Sequence, residues 1–246
     1  MPDFQWEVAS LRLTIFPAEP IAESDAERWW TQVFHQKPDR LTAEPREDTS
    51  TRVGEFEVLP GVPSALTLRV SPNRTDWLLQ PVEKWEDATP TLGDWSGPTA
   101  WFLETLRGWL AEASPALRVA FGLVLVAPAA NLVESTARVA SLVAVKVDPV
   151  TTSDFVFRIN RKRPSRVLSE VTVNRLVAWS SMTVRAMNVH LPTGTSTETD
   201  LGVVTRLDLD INTAPTTTPL KPETLPDLLQ ELHDYAIELA TEGDQP

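Results

Sequence analysis

Two stretches of the chain share one hydrophobic pattern, in which a strand-like apolar run is followed by a helix-like segment. Residues 117–127 are apolar on both faces, which predicts a buried central strand, and residues 131–143 predict the helix after it. Residues 4–16 alternate as in a half-exposed strand, and residues 24–34 predict a helix. The segments that join strand and helix, 17–26 and 128–137, are identical at five of ten positions. The chain is therefore predicted to contain two copies of one unit.

Alternation with a period of two predicts the other strands. They lie at residues 54–59, 65–70, 75–80, 153–160, 168–190 and 203–211. The run 168–190 is too long for an ordinary strand, and its apolar phase changes between Trp179 and Met182. A one-residue change of phase needs an extra residue or a turn, so Ser180 and Ser181 are predicted to form a bulge or bend.

Helix starts and stops are marked by capping residues. Ser24 with Glu27, and Asn131 with Glu134, have the spacing of a capping box. A helix is predicted from Pro98 to near Ser114. The closing helix is predicted to have Thr224 as its cap and the clearest apolar stripe of the chain, which comprises Leu225, Leu228, Leu229, Leu232, Tyr235, Ala236 and Leu239.

Several segments are predicted to lack regular structure, including the loop 213–222 and the stretch 81–97. Residues 35–51 are rich in charge, Pro and Thr, and residues 161–166 form a basic loop after a strand. Residues 190–200 are Thr- and Ser-rich and predicted to be mobile, and the tail 242–246 is expected to fray.

This order of elements predicts an α+β fold built from two tandem β-α-β-β-β-α units. The first unit spans residues 1–114 and the second spans residues 115–246, and we expect them to form one compact body. The strands are antiparallel and the helices pack on one face. Two sheets related by a pseudo-twofold axis, or one continuous sheet, both satisfy the order.

Composition restricts the classes of protein. The 246 residues are enough for a core without cross-links, and the absence of cysteine excludes disulfides, thiolate nucleophiles and cysteine-based metal sites. The N-terminus lacks the basic region of a secretory signal, and the longest apolar run contains Pro128 and is too short for a membrane helix. We therefore expect a cytoplasmic protein that does not bind membranes.

Charge is distributed unevenly. The net charge of −12 disfavours general affinity for nucleic acid, but residues 154–190 hold seven basic residues against two acids. The candidate partner-binding residues are Arg158, Arg161, Lys162, Arg163 and Arg166. They fit a solvated hairpin tip, a surface for an acidic protein, or a contact with a nucleic-acid backbone. Nucleic acid is the least favoured of these, because no aromatic residues are interleaved with the arginines.

Tryptophans and carboxylates supply two further candidate sites. Trp77, Trp85 and Trp95 flank or lie in the irregular stretch 81–97 and could line a ligand groove or cover the core. Asp208 and Asp210 are two apart on a strand, which puts both carboxylates on one face as a divalent metal needs. The same spacing fits cross-strand charge pairs with Arg158 or Arg185.

Motifs for common cofactors and mechanisms are absent from the sequence. The three histidines are isolated, and there is no Gly-x-Ser-x-Gly elbow, Walker loop or Gly-x-Gly-x-x-Gly. No cofactor is predicted.

The C-terminal pattern resembles that of a known family. Residues 205–211 (Thr-Arg-Leu-Asp-Leu-Asp-Ile), a Pro- and Thr-rich loop and residues 228–233 (Leu-Leu-Gln-Glu-Leu-His) are similar to the closing signature of a sporadically distributed family of uncharacterised bacterial proteins of about this length. Residues 77–80 (Trp-Leu-Leu-Gln) resemble its mid-chain motif, although Pro81 and Val82 stand where that family has aromatic and basic residues. The resemblance implies a bacterial cytosolic protein of scattered occurrence, of the kind carried on mobile or defence islands, and implies no activity.

Three functions follow, in order of preference. The first is a non-enzymatic binding or adaptor protein that acts through a protein partner and uses the basic loop. The second is a small-molecule binder with an aromatic groove between the two repeats, resembling the duplicated effector-binding modules. The third is a metal-dependent hydrolase that uses Asp208 and Asp210.

Overall fold

A computed structural model describes residues 4–44, 48–82, 89–190 and 195–244 of the protein. The strands are β1 (Glu7–Pro17), β2 (Arg40–Glu44), β3 (Thr49–Leu59), β4 (Val62–Ser71), β5 (Arg74–Pro81), β6 (Ala116–Ala129), β7 (Val156–Pro164), β8 (Thr172–His190) and β9 (Thr195–Thr213). The α-helices are α1 (Asp25–Phe34), α2 (Ser96–Ala111), α3 (Leu132–Leu142) and α4 (Leu225–Glu242), and a 3₁₀ turn at Pro222–Thr224 precedes α4.

Within these ranges the strands form one antiparallel sheet in the order β2-β3-β4-β5-β1-β6-β9-β8-β7. The α+β class and the antiparallel arrangement are confirmed. The two halves of the chain join where β1 pairs with β6, from Glu7 opposite Val126 to Pro17 opposite Ala116. The predicted central position of β6 is also confirmed, because β6 lies between β1 and β9.

One face of the sheet is covered by the four helices of the described residues. Alternate residues of β1 and β6, such as Leu13 and Phe121, are fully buried beneath them. The helices contact one another or pack on this same face, with α1 and α2 over the first half and α3 and α4 over the second. None of these helices has the length and apolar character needed to cross a membrane.

Tryptophans fill the space between the first two helices and the sheet. Trp77 of β5 is fully buried. Its ring stacks on Trp30 with centroids 6.0 Å apart and meets Trp109 edge-on at 5.5 Å. Trp29 in turn meets Trp109 edge-on at 5.6 Å. Geometries of this kind stabilise aromatic pairs beyond the burial of their area.

The polar loop predicted at residues 35–51 is wrong in part. It contains β2 and the start of β3, which pair from Arg40 opposite Val53 to Glu44 opposite Thr49, while residues 45–47 lie outside the described ranges. The strand β2 is at the edge of the sheet, and its Leu41 is 59% exposed. Alternation of apolar and polar residues arises where one face of a strand is buried. An edge strand with little buried surface lacks this pattern, so its sequence resembles that of a loop.

The bulge predicted at Ser180 and Ser181 is wrong. Both residues pair in regular register with Arg206 and Thr205, and the register shift occurs later, between Val184 and Arg185. Beyond Trp179, the apolar side chains are those that point to the other face of the sheet. This is why the apolar phase of the sequence changes without a bulge. Part of the segment predicted to be mobile is also strand, since residues 195–200 pair with β8, and residues 191–194 lie outside the described ranges.

The predicted helix caps have different outcomes. Asn131 caps α3, because its Oδ1 accepts a hydrogen bond from the Glu134 N–H at 2.9 Å. The Glu134 carboxylate accepts from the Ala130 N–H, one residue before the predicted donor. Ser24 and Thr224 make no side-chain cap bond, so these two predictions are wrong.

The cap of α3 can be tested by substitution, with Ser24 of α1 as the control because it makes no cap bond. We expect Asn131→Ala to lower the free energy of unfolding by about 1 kcal/mol, because it removes the acceptor for an N-terminal N–H of the helix. The matched variant Ser24→Ala should change that free energy by less than about 0.5 kcal/mol. Urea unfolding of both variants measures the difference, and equal losses would contradict the assignment of the caps.

Candidate functional site

The face of the sheet opposite the helices, hereafter the open face, has no helix on it in the described residues. A groove of about 500 Å³ lies on it, across β1, β6, β9 and β8. Leu78, Val124, Leu176 and Ala178 line the groove and are half-buried. Charged side chains stand among them, namely Arg12, Arg158, Asp208 and Asp210. Apolar and charged side chains therefore alternate across this groove.

A second groove of about 360 Å³ lies on the open face near the middle of β8 and β9. Its walls include Met182, Val184 and Val126. Arg206 lines this groove and also pairs with Asp208 of the first one. The apolar residues whose phase differed from Trp179 in the sequence are therefore part of the same surface.

The two carboxylates predicted as a metal site do share the open face, but each has a neighbour of its own. Arg206 donates two hydrogen bonds to Asp208, at 2.8 and 2.6 Å, and these bonds raise the pKa of Arg206. Asp210 accepts from the Asn212 side chain at 3.1 Å. Within the described residues, no group of three or more His, Asp or Glu side chains is placed to hold a metal ion. Metal binding stays a prediction that lacks a third ligand there.

The cross-strand partners expected for these carboxylates also differ. Asp208 stands opposite Ala178 on β8, and Asp210 stands opposite Leu176. Arg185 instead pairs with Glu198, at 3.5 Å. Arg158 lines the groove that Asp208 and Asp210 line.

Gly122 lies at the centre of the open face. A Cβ atom at this position would lie 3.4 Å from the Cβ and Nε of Arg12, so the Arg12 side chain lies close against the glycine. A glycine within a strand often marks such a close approach. In the described part of the chain Arg12 makes no ion pair, and its Nε has no hydrogen-bond partner.

The basic loop predicted to bind a partner is strand and contacts α4 instead. The strand β7 continues through Pro164. Arg161 pairs with Asp244, whose side chain is 1% exposed, and the hydrogen bond to this carboxylate raises the pKa of Arg161. Arg163 and Arg166 both pair with Glu238, at 3.0 and 3.8 Å. The tail was predicted to fray, which is wrong for Asp244, because this residue is buried.

Sequence reasoning missed Arg175, the most buried of the arginines that pair with Glu238. Its side chain is 2% exposed, donates to Glu238 at 2.9 Å and lies over the Tyr235 ring. Burial lowers the pKa of Arg175, and the charge of Glu238 opposes that shift. Its burial could have been predicted, because Arg175 lies between Val173 and Val177 among the alternate residues of β8 that face the helices. Of the predicted set, Arg158, Lys162 and Arg166 are exposed, although Arg166 also pairs with Glu238.

Of the three tryptophans predicted to line a ligand groove, the two that the structure describes do not share a groove. Trp77 is in the core, and Trp85 lies outside the described residues. Trp95 lines a groove of about 630 Å³ between α2 and α4, with Leu103, Leu229, Ile237 and His233 among its other walls. This groove lies between the helices that close the two halves.

His233 forms the polar part of the groove between α2 and α4. Its ring meets Phe121 edge-on at 5.8 Å and lies 3.3 Å from the Gln230 amide. Burial lowers the pKa of His233 below its ordinary value, and the carboxylate of Asp234 opposes this shift. The imidazole is therefore neutral near pH 7.

Comparisons with known proteins give little further information. No family model matches the chain, and no curated protein matches it. Among solved structures, the crystal structure of the di-domain ARO/CYC BexL from the BE-7585A biosynthetic pathway aligns over 96% of this chain and 99% of that chain, at 13% identity and a TM-score of 0.21. A similarity at that TM-score supports no conclusion about fold or function.

The pKa of His233 predicts a pH dependence of stability. Because the folded pKa lies below the ordinary value of 6.5, the unfolded chain binds the proton first as pH falls. We expect the wild type to lose more stability than His233→Gln between about pH 7.5 and about pH 5.5. Urea unfolding of both proteins at the two pH values measures the difference. Equal losses would contradict a buried neutral imidazole.

Proposed function

We propose that this protein is a non-enzymatic binding or adaptor protein that docks a protein partner on the open face. The observation that supports this most is the half-buried apolar strip formed by Leu78, Val124, Leu176 and Ala178 on a sheet face that no helix covers in the described ranges. Apolar side chains on an uncovered sheet face, with charged residues among them, suit a protein interface that also selects its partner by charge.

The docking surface in this proposal differs from the one that the sequence indicated. Arg161, Arg163 and Arg166 have their carboxylate partners within the chain, and so they are less available to an acidic partner. Arg158 stands in the groove of the open face and keeps its proposed role in binding. Nucleic acid remains disfavoured by the net charge of −12.

We also infer that the two halves, residues 1–114 and 115–246, descend from one duplicated unit. In support, β1 pairs with β5, the last strand of its half, and β6 pairs with β9, the last strand of the other half. A helix follows β1 and β6 alike, and β2 would be an addition to the first half. A pseudo-twofold axis between β1 and β6, perpendicular to the sheet, would relate the two strand orders.

The proposed setting follows the family resemblance. The protein would act in the bacterial cytoplasm, as an accessory of a mobile-element or defence system. The resemblance of residues 205–211 and 228–233 supports this setting.

Docking on the open face can be tested with a matched pair of substitutions. Ala178→Arg places a long charged side chain in the groove, whereas Ala137→Arg makes the same change at an exposed position of α3. Affinity-tagged proteins would be recovered from the host, and bound partners, including untagged copies of the chain, would be quantified by mass spectrometry. We expect Ala178→Arg to lower the recovery of a stoichiometric partner about tenfold or more, and Ala137→Arg to leave it unchanged.

Circular dichroism and thermal unfolding would verify that both variants fold. Equal recovery of the partner with both variants, or the lack of any stoichiometric partner of the wild type, would contradict the proposal.

A second candidate function is small-molecule binding in the groove between α2 and α4. The observation that favours it is the apolar lining of Trp95, Leu103 and Leu229 around the neutral His233. The ligand would be a largely apolar molecule that hydrogen-bonds the imidazole or the Gln230 amide.

Native mass spectrometry of protein purified from its host tests this second candidate. We expect an added mass on the wild type and on Ala137→Trp, and no added mass on Ala100→Trp, which fills the groove. The mass of the chain alone for the wild type, or an added mass that Ala100→Trp retains, would count against the groove.

A further inference from the structure

The open face carries a row of side chains that is complementary to itself about Gly122. Register partners across a sheet lie on the same face, and Gly122 stands between Arg12 on β1 and Asp210 on β9. The strand beyond Arg12 contributes Leu78, and the strand beyond Asp210 contributes Leu176. Moving outward from Gly122, the row therefore reads a cation and a leucine on one side, and an anion and a leucine on the other.

From this row we propose that the partner on the open face is a second copy of this chain, packed face to face about a twofold axis that runs between the two sheets, over Gly122 and close to the direction of β6. This inference rests on the proposed docking on the open face. The axis exchanges the strands on either side of β6. Arg12 of each copy then faces Asp210 of the other, and Leu78 of each copy faces Leu176 of the other.

The charges within this row favour a second copy, although the net charge of the chain does not. Each chain has a net charge of −12, so two copies repel each other over most of their surfaces. The row around Gly122 is locally neutral, with one cation and one anion at equal distance from the axis. A twofold interface must be self-complementary, and this arrangement gives two equivalent ion pairs between the copies.

The state of the side chains fits this pairing. Arg12 makes no ion pair in the described part of the chain. Asp210 accepts one hydrogen bond, from Asn212, and a carboxylate has acceptor positions beyond that one. Face-to-face sheets pack about 10 Å apart, a distance that an arginine and an aspartate from opposite sheets span together. The missing side chain at Gly122 leaves room for the Arg12 side chain, which lies against the glycine and so places its guanidinium near the axis.

Charge reversal tests this geometry in a way that a change in folding cannot imitate. In a dimer of Arg12→Glu, each new glutamate faces Asp210, and in a dimer of Asp210→Arg, each new arginine faces Arg12. Both variants are then repelled across the interface. In the mixed dimer, however, the new glutamate of one copy faces the new arginine of the other, and the remaining Arg12 and Asp210 face each other as in the wild type.

Sedimentation equilibrium of the full chain measures the outcome. We expect the wild type to be dimeric, each reversal to raise the dissociation constant about tenfold or more, and an equimolar mixture of the two variants to regain the wild-type affinity. Arg107→Glu, a matched reversal at an exposed position on α2, should leave the dissociation constant unchanged. Only folded chains can regain affinity in the mixture, which separates loss of the ion pairs from loss of structure.

The results separate this inference from the function on which it rests. If the wild type is monomeric but Ala178→Arg still abolishes the binding of another protein, the second copy is not the partner. Docking on the open face would then remain supported. A wild-type dimer that both reversals leave unchanged, or a mixture of the variants that stays monomeric, would also overturn the inference. If Ala178→Arg alters no association at all, both proposals fail.

Discussion

The pairing of β1 with β6 is the interaction on which the rest of the structure depends. These strands belong to different halves of the chain, and their ladder is the point at which the two parts of the sheet become one. Leu11 and Leu13 of β1 lie beside Leu123 and Phe121 of β6 under the helices, and all four are fully buried. Because the ladder fixes register, it also fixes which residues meet on the opposite face.

The open face follows from placing every helix of the described chain on one side. An antiparallel sheet tolerates one face without a covering layer when its outward residues are polar. Here the outward residues also include Leu78, Val124 and Leu176, which are half-buried without a helix above them. A surface of this composition leaves apolar area exposed, which is the basis of the proposed docking, and its charges would restrict which partner matches it.

Strands with a buried apolar face can be predicted from the sequence. Strands whose polar side chains pair with residues far away in the chain cannot. The strands β1, β4 and β6 were found because a buried face imposes alternation or a continuous apolar run. The edge strand β2 and the end of β7 were interpreted as loops, since charged side chains there look solvated. Arg161 and Arg163 form ion pairs with Asp244, just after α4, and with Glu238 on α4. These partners are distant in sequence, so no local pattern reveals them. The open face was equally hidden, because only the strand order brings Arg12 and Asp210 to either side of Gly122.

Hydrogen exchange of the full chain, read by mass spectrometry, tests most directly whether the β1–β6 ladder holds one sheet together. The account predicts that the amides of β1 and β6 exchange slowest and that their opening free energy equals the free energy of global unfolding. The central strands of both halves should open with this same free energy. Fast exchange along β1 and β6, or two halves that open with separate free energies, would contradict it.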